Sequence, residues 1–234
     1  MTLTKTRIEW LRNPVTGELG FSINPVRGRC PNPDCPLGEG CYARRLYKRF
    51  KWNPEIRFEP MVNLPKKPSR IFVGSTMELF GEWIDAFWLD SIFRTVRDNP
   101  QHTFIFLTKC PQNLAKWNPY PQNCYIGVSV CNDVMLDVAV EKLEDIQAKT
   151  KFLSIEPLMG KITLSSDYAF YYSGINWLIL GCQTPMSEKT LPKREWVDEI
   201  ISAADKAGIP AFVKEPMASH FGINRKEFPT GLRG

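Results

Sequence analysis

The sequence predicts an α/β protein built as a single parallel (β/α) barrel, in a partial form with six or seven strands. Short apolar runs alternate along the chain with segments of helical periodicity, which is the pattern of repeated β-α crossovers. The runs are apolar almost throughout, as expected for parallel strands that are covered on both faces. The predicted strands are residues 20–24, 70–75, 103–109, 124–130, 151–156, 176–181 and 210–214.

Helices are predicted between these strands from apolar spacing and from capping residues. Asn132 is a favourable N-cap for a helix whose apolar residues are Val134, Val138, Leu143 and Ile146. An earlier helix is predicted to have one face formed by Ile84, Phe87, Trp88, Ser91, Ile92 and Thr95, and a later one should end at Gly208. The helical segments lie around residues 44–52, 84–95, 111–117, 132–146 and 196–204.

Polar residues follow most of the apolar runs, and this pattern favours a barrel over an open sheet. In a β/α barrel the carboxyl ends of the strands converge on one face, where the active site is built. An open dinucleotide-binding sheet is less favoured, because no G-x-G-x-x-G follows the first strand. Taken singly, each polar residue can also mark the start of an ordinary loop. The residues are Ser75, Thr108, Lys109, Ser129, Glu156, Gln183, Lys214 and Glu215.

Length and composition are those of one globular domain. A chain of 234 residues fits a single barrel over residues 1–234, and no apolar run approaches the ~20 residues of a membrane helix. The N-terminus is polar and lacks the apolar core of a signal peptide, so we expect a cytoplasmic protein with reduced thiols. The net charge of +5 is compatible with a nucleic-acid partner without being evidence for one.

Three cysteines, Cys30, Cys35 and Cys41, lie in one Pro/Gly-rich loop at about residues 25–43 with the spacing C-x4-C-x5-C. Structural zinc takes four ligands, and iron–sulfur clusters normally take four cysteines. No obvious fourth ligand is nearby, because the two histidines, His102 and His220, are distant in sequence. The triplet therefore favours an iron–sulfur site with one open position, while structural zinc and unmetallated thiols remain alternatives.

These motifs resemble the radical SAM superfamily and, more closely, an uncharacterised phage- and prophage-associated three-cysteine family. The resemblance runs from residue 8 to about residue 215, and the Leu-Thr-Lys and Val-Ser elements are also similar to the spore photoproduct lyases. The cysteine spacing departs from the common C-x3-C-x2-C, and an aromatic residue follows the last cysteine instead of preceding it. The shared motifs include Ile8-Glu9-Trp10, Gly40-Cys41-Tyr42-Ala43, Met77-Glu78-Leu79-Phe80, Leu107-Thr108-Lys109, Gly127-Val128-Ser129-Val130 and Ser154-Ile155-Glu156-Pro157.

The resemblance implies a [4Fe–4S] cluster on the three cysteines, with S-adenosylmethionine bound to its open iron and an electron donor such as a flavodoxin or ferredoxin as partner. Lys109 offers a cation for the carboxylate of S-adenosylmethionine, and Ser129 is a short hydrogen-bond donor beside it. Glu156 can accept from the ribose or the amino group, although an ion pair with Lys109 or Lys214 is an equally good interpretation. The candidate cofactor-binding residues are Tyr42, Ser75, Glu78, Lys109, Ser129 and Glu156.

Three further cysteines, Cys110, Cys131 and Cys182, also follow strand ends. A thiol at such a position can return a hydrogen atom to a substrate radical, and these residues are the candidate catalytic groups. A cysteine at the end of a strand can equally be a small buried apolar residue.

A basic helix with interleaved aromatic residues follows Cys41 and points to a nucleic-acid or nucleotide substrate. Such a helix can neutralise phosphates and stack bases, although it can also be an ordinary solvated face or grip a partner protein. If the cysteine loop held zinc instead, the chain would be a non-catalytic barrel that binds nucleic acid or a partner. The residues of this segment are Arg44, Arg45, Tyr47, Lys48, Arg49, Phe50, Lys51 and Trp52.

Overall fold

The computed structural model describes residues 3–61, 63–164 and 170–231. Its central element is one curved sheet of eight strands. Seven strands are parallel neighbours, and a short antiparallel strand, β1 (Thr4–Lys5), is added beside the first of them. The predicted partial parallel barrel is confirmed. In sheet order the parallel strands are β2 (Phe21–Ile23), β5 (Arg70–Val73), β6 (Thr103–Thr108), β7 (Cys124–Ser129), β8 (Thr150–Ile155), β9 (Ile175–Leu180) and β10 (Ala211–Val213).

Helical segments connect these strands. A separate two-stranded sheet, β3 (Val26–Arg27) with β4 (Arg57–Phe58), flanks the first helix. In the described residues no helix is long and apolar enough to cross a bilayer. The α-helices are α1 (Tyr42–Phe50), α2 (Ala86–Arg97), α3 (Asp133–Glu144), α4 (Arg194–Ala207) and α5 (Met217–Phe221), and 3₁₀ segments cover Glu9–Leu11, Gly38–Gly40 and Pro111–Trp117.

Two predicted helix boundaries are confirmed, the start of α3 and the end of α4. Asn132 caps α3, since its side-chain oxygen accepts from the backbone N–H of Met135 at 3.0 Å, and Gly208 ends α4 with a left-handed φ of 65°. The expected apolar faces of α2 and α3 are right in part: Ile92 and Leu143 are buried, whereas Phe87, Val134 and Val138 are exposed. Both helices carry apolar residues on more than one side, and the crossover geometry decides which side packs on the sheet.

Side chains of the strands alternate between two apolar clusters, one inside the barrel and one outside. The outer cluster packs the sheet against the helices. The inner cluster is largely aromatic, and its Trp10 ring lies 5.2 Å from Phe72 and 6.2 Å from Trp177, measured between ring centroids. It fills the amino-terminal half of the barrel. Its members are Trp10, Leu11, Phe72, Ile105, Tyr125, Phe152, Trp177, Ile179, Phe212 and Phe228.

The open side of the barrel, between β10 and β1, is covered by polar contacts rather than by strand pairing. The C-terminal segment runs antiparallel to β10, with Lys226 opposite Phe212. Lys226 reaches Glu9 at 2.8 Å and Glu215 at 3.4 Å, and the backbone N–H of Glu215 donates to Glu9 at 2.9 Å. These contacts join the first and the last parts of the barrel wall.

Replacing Gly127 by alanine should destabilise the protein. An added Cβ would lie 2.2 Å from the ring of Phe152 inside the barrel, so the ring or the strand must shift. We expect urea denaturation to show a free energy of unfolding lower by about 1–3 kcal/mol. Gly160→Ala is the matched control, because nothing lies within 4 Å of its Cβ position. Equal stabilities of the two variants would contradict this packing.

Candidate functional site

Polar side chains continue the inward-facing positions past the carboxyl ends of the strands. Residues two or four positions after a residue of the inner cluster keep the same direction, since strand side chains alternate with a period of two. This register directs Lys109, Ser129, Glu156 and Lys214 to the carboxyl-terminal mouth of the barrel. Lys109 and Glu156 both act electrostatically on the thiol of Cys131, so they share one site.

Two lysines at the mouth have different partners. Lys214 forms an ion pair with Glu156, whose carboxyl group lies over Gly181. Of the two ion pairs considered for Glu156, the structure contains the one with Lys214. Lys109 forms no ion pair with a carboxylate among the described residues, and its charge acts on the thiols of Cys35 and Cys41. The mouth therefore holds one neutralised cation and one that can still bind an anion.

The cysteine loop joins β3 to α1 and is held by arginines. Arg44 donates to the backbone oxygen of Asn32 at 2.7 Å, and Arg29 pairs with Glu39 at 2.5 Å. Arg45 of the same helix donates to the backbone oxygen of Thr184 at 2.8 Å, across the mouth in the loop after β9. Two of the basic residues predicted to contact nucleic acid are thus engaged within the protein.

The three loop thiols are half-buried, and none forms a disulfide. Cys35 donates a hydrogen bond to Cys41, which lowers the pKa of the Cys41 thiol and raises that of Cys35. Burial opposes the lowering at Cys41, and the charge of Lys109 adds to it. Cys30 acts electrostatically on Cys110, the residue after Lys109. All three loop thiols therefore lie around the end of β6.

The structure does not assemble the three thiols into a closed ligand set. In the ranges that it describes, no three His, Cys, Asp or Glu side chains meet closely enough to hold a metal ion. Two of the thiols are in contact, and the third is nearby in the same loop. The turn between them contains Gly38 and Gly40, whose Cβ positions have nothing within 4 Å. The donor set, three thiols from one loop, suits soft metal ions and iron–sulfur clusters.

Glu78 binds the end of β6 with both of its carboxylate oxygens. Its Oε1 accepts from the Thr108 hydroxyl at 2.6 Å and from the Phe80 N–H at 3.1 Å, while its Oε2 accepts from the Lys109 N–H at 2.7 Å. Thr108 in turn accepts from the N–H of Cys110 at 2.8 Å. The carboxylate is buried, so these bonds hold the backbone that carries Lys109.

Ser75 lies at the end of β5 and is bound to the end of β2. Asn24 donates to the Ser75 hydroxyl at 3.1 Å and accepts from the Thr76 N–H at 2.9 Å. Sequence reasoning noted Thr108 as a polar strand-end residue without giving it a role, and it did not single out Asn24. The same signal, a polar residue at the end of an apolar strand, could have found Asn24.

The three candidate hydrogen-atom donors differ in direction. Cys110 and Cys182 belong to the outer apolar cluster. Cys131 is fully buried but belongs to neither apolar cluster, and Lys109 and Glu156 act on it. Burial raises the pKa of all three thiols, so each keeps its proton at neutral pH. Cys131 continues the inward register of β7, while Glu156 and Lys214 of the mouth also act electrostatically on Cys182.

Tyr42 is the first residue of α1, and its side chain is exposed. It follows Cys41 directly in the sequence. The structure places it beside the loop without burying it against any residue of the mouth.

Comparisons with known proteins agree with this architecture. The sequence profile of the family described as Protein of unknown function (DUF5131) matches residues 5–222. No curated protein matches the sequence.

Two solved structures share the fold, one of spore photoproduct lyase complexed with dinucleoside spore photoproduct and one of a mutant of that enzyme with bound AdoMet and dinucleoside spore photoproduct. Each is 12% identical to this chain with a TM-score of 0.50. The matches cover 91% and 89% of this chain and 78% and 80% of the other chains. At this identity the likeness establishes the fold alone.

Glu78→Gln should destabilise the protein, because an amide cannot replace both acceptor oxygens. One of the buried groups that now donate to Glu78 would face an NH₂ group, which costs about 1–3 kcal/mol for a buried hydrogen bond. The free energy of unfolding, measured by urea denaturation, should fall by about that amount. Glu82→Gln, an exposed acid in the same loop, is the control and should change stability little. Equal effects would show that Glu78 does not fix this end of β6.

Proposed function

We propose that this chain, which belongs to the family described as Protein of unknown function (DUF5131), is a radical SAM enzyme. The placement of three loop thiols around the end of β6, at the mouth of a partial (β/α) barrel, supports this more than any other feature. The fold shared with spore photoproduct lyase, a radical SAM enzyme, is consistent with it.

Cys30, Cys35 and Cys41 would hold a [4Fe–4S] cluster. Cys35 and Cys41 already meet, and the lowered pKa of Cys41 favours the thiolate that binds iron. When bound, the cluster and S-adenosylmethionine supply one-electron cleavage of the sulfonium and a carbon radical that removes a hydrogen atom from substrate. The protein contributes the binding site, its orientation and the exclusion of water.

Residues of the mouth would bind S-adenosylmethionine. The cation of Lys109, which has no carboxylate partner in the described part of the chain, attracts the carboxylate of the ligand. Ser129 lies on the inward side of the neighbouring strand and can donate to the same group. Glu156, with its charge balanced by Lys214, can accept hydrogen bonds from the amino group or the ribose.

Three further residues would assist at the edge of this site. Ser75 presents a hydroxyl at the end of β5, and Glu78 positions the backbone at Lys109. The exposed ring of Tyr42 lies beside the last cysteine, where it can cover the adenine.

Cys131 is the proposed hydrogen-atom donor of the three candidate cysteines. It is protonated, buried and directed to the mouth beside Lys109 and Glu156. Cys110 and Cys182 pack in the outer cluster, which favours a purely structural role for their thiols.

The substrate is proposed to be a nucleic acid or nucleotide, and the electron donor a flavodoxin- or ferredoxin-like protein. A net charge of +5 and the basic helix next to the cysteine loop support the first part. Spore photoproduct lyase, which shares the fold, has been solved with a dinucleoside spore photoproduct. If this assignment is correct, release of 5′-deoxyadenosine should rise when nucleic acid or nucleotides are added.

Alanine at Cys30, Cys35 or Cys41 should prevent assembly of the cluster. Anaerobically purified wild-type protein should be brown and contain iron and sulfide, and each variant should lose the visible absorbance of thiolate-bound iron. Cys124→Ala is the control, because Cys124 is a buried thiol at the start of β7. A colourless wild-type protein with one zinc per chain would instead support the non-catalytic, zinc-binding alternative.

Lys109→Ala should weaken the binding of S-adenosylmethionine and slow its reductive cleavage. The variant removes the cation that acts on the loop thiols, and a charged hydrogen bond is worth about 1.5–3 kcal/mol. Binding measured by calorimetry should therefore weaken by roughly tenfold or more, while Lys116→Ala, an exposed lysine in the next 3₁₀ segment, should bind normally. Unchanged affinity in Lys109→Ala would refute its assignment to the carboxylate.

A further inference from the structure

We propose that an exposed surface at the end of α1 binds single-stranded nucleic acid and leads it to the mouth of the barrel. The surface consists of Lys48, Arg49, Phe50, Lys51 and Trp52 and is called the α1 surface below. Delivery of substrate to the mouth rests on the proposed function, whereas binding to the surface does not.

Two aromatic rings, called the platform below, stack on each other and are half-exposed on the α1 surface. Phe50 is 52% exposed and Trp52 is 46% exposed, which is unusual for side chains of this size. Their ring centroids lie 5.4 Å apart with an angle of 20° between the planes, so they are stacked. Stacked, half-exposed aromatic rings bind nucleobases without requiring a particular base, because every base has a π-face.

The platform is fixed before any ligand arrives. The buried ring of Tyr47 meets the Trp52 ring edge-on, with 5.2 Å between the ring centroids. The backbone N–H of Trp52 donates to the backbone oxygen of Tyr47 at 3.3 Å. The Tyr47 hydroxyl accepts from the N–H of Gly28 at 2.8 Å, two residues before Cys30. A rigid platform loses little conformational entropy on binding. The same contacts connect it to the cysteine loop.

The positive charges of the α1 surface are not neutralised by the protein. Lys48, Arg49 and Lys51 are exposed, and none forms an ion pair with a carboxylate in the ranges that the structure describes. The Arg49 guanidinium lies 5.2 Å from the centroid of the Phe50 ring, so charge and platform are adjacent. Three cations beside the aromatic platform suit a nucleic acid strand, because its phosphates can pair with the cations while its bases stack on the rings.

A cavity of about 300 Å³ leads from this platform toward the strand ends. Trp52 lines one part of it, and Asn24 and Thr76 line another. Asn24 is the residue that binds Ser75 at the proposed cofactor site. The cavity therefore brings Trp52 of the platform and the Asn24–Ser75 pair at the strand ends to one polar depression.

Two arginines add positive charge to this cavity. Arg27 and Arg57 share the carboxylate of Glu59, with their Nε atoms 3.2 and 3.5 Å from its oxygens. The three side chains together carry a net positive charge. The cavity therefore suits a nucleic acid better than an acidic protein, since aromatic stacking and phosphate pairing are offered side by side.

The proposal can be tested on the full chain by fluorescence anisotropy with a labelled oligo(dT) of about 12 nucleotides. This length lies within the site sizes of single-strand-binding grooves. The probes for comparison are a duplex of the same length and poly-glutamate. We expect the single strand to bind most tightly, because a duplex hides its base faces and poly-glutamate has none. Tighter binding of either comparison probe would overturn the proposal.

Variants separate stacking from charge. Phe50→Ala with Trp52→Ala should raise Kd for oligo(dT) by about tenfold or more, as expected for loss of base stacking. Phe50→Leu with Trp52→Leu keeps apolar packing and should show the same loss if the π-faces matter, with thermal unfolding as the check on folding. Phe87→Ala is the control, because Phe87 is also exposed beneath an arginine, Arg94, on the outer helix α2.

Charge variants locate the phosphate-binding cations. Lys48→Gln with Lys51→Gln should lessen the slope of log K against log salt by about 1.4, which is about 0.7 for each phosphate that the protein no longer neutralises. Lys66→Gln with Lys67→Gln removes the same charge from a cavity of about 600 Å³ at the amino-terminal end of the barrel and should leave the slope unchanged. Normal binding by the α1 variants, or a larger loss of affinity from the Lys66 and Lys67 variant, would overturn the proposal. Failure here with intact deoxyadenosine release would leave the proposed function standing.

Discussion

The aromatic filling of the barrel interior is the constraint on which the remaining structure depends. Trp10, Phe72, Phe152 and Trp177 occupy the amino-terminal half, and Gly127 leaves the space that the Phe152 ring needs. Because strand side chains alternate strictly, the inward positions that follow these aromatics must lie at the other end. The aromatic residues fill the amino-terminal half of the barrel, so the polar inward residues line the carboxyl-terminal half, which is the mouth. The curved sheet can form this mouth without complete closure, since ion pairs join its first and last parts.

The charged residues of the mouth comprise one ion pair and one lysine that forms no ion pair in the described residues. Glu156 and Lys214 neutralise each other, whereas the charge of Lys109 is directed at thiols. The buried carboxylate of Glu78 holds the backbone N–H of Lys109 without pairing with its ammonium group. The cation is thus fixed in position and remains able to bind an anion. Among the described mouth residues, Lys109 is therefore the one whose replacement tests anion binding most directly.

Helix α1 joins the cysteine loop to the surface outside the mouth. Arg44 and Arg45 on this helix bind backbone oxygens of the cysteine loop and of the loop after β9. The cations near its end, Lys48 and Arg49, remain exposed. One short helix therefore organises the cysteine loop with its first turn and presents a charged aromatic surface with its last. Movement of the helix would change both, so the α1 surface and the geometry of the cysteine loop are physically linked through it.

The sequence by itself determined the α/β class, the seven parallel strands, the N-cap at Asn132 and the end of α4 at Gly208, because these depend on local patterns. It also placed Lys109, Ser129 and Glu156 at strand ends. Only the tertiary structure decided that Glu156 pairs with Lys214, that Cys131 lies outside both apolar clusters, and that Phe87, Val134 and Val138 are exposed on α2 and α3. These outcomes depend on the curvature of the sheet and on contacts between residues far apart in the chain. The sequence pattern gives the period with which side chains alternate along a helix or strand. The packing of neighbouring elements decides which way each side chain points and which residue it contacts.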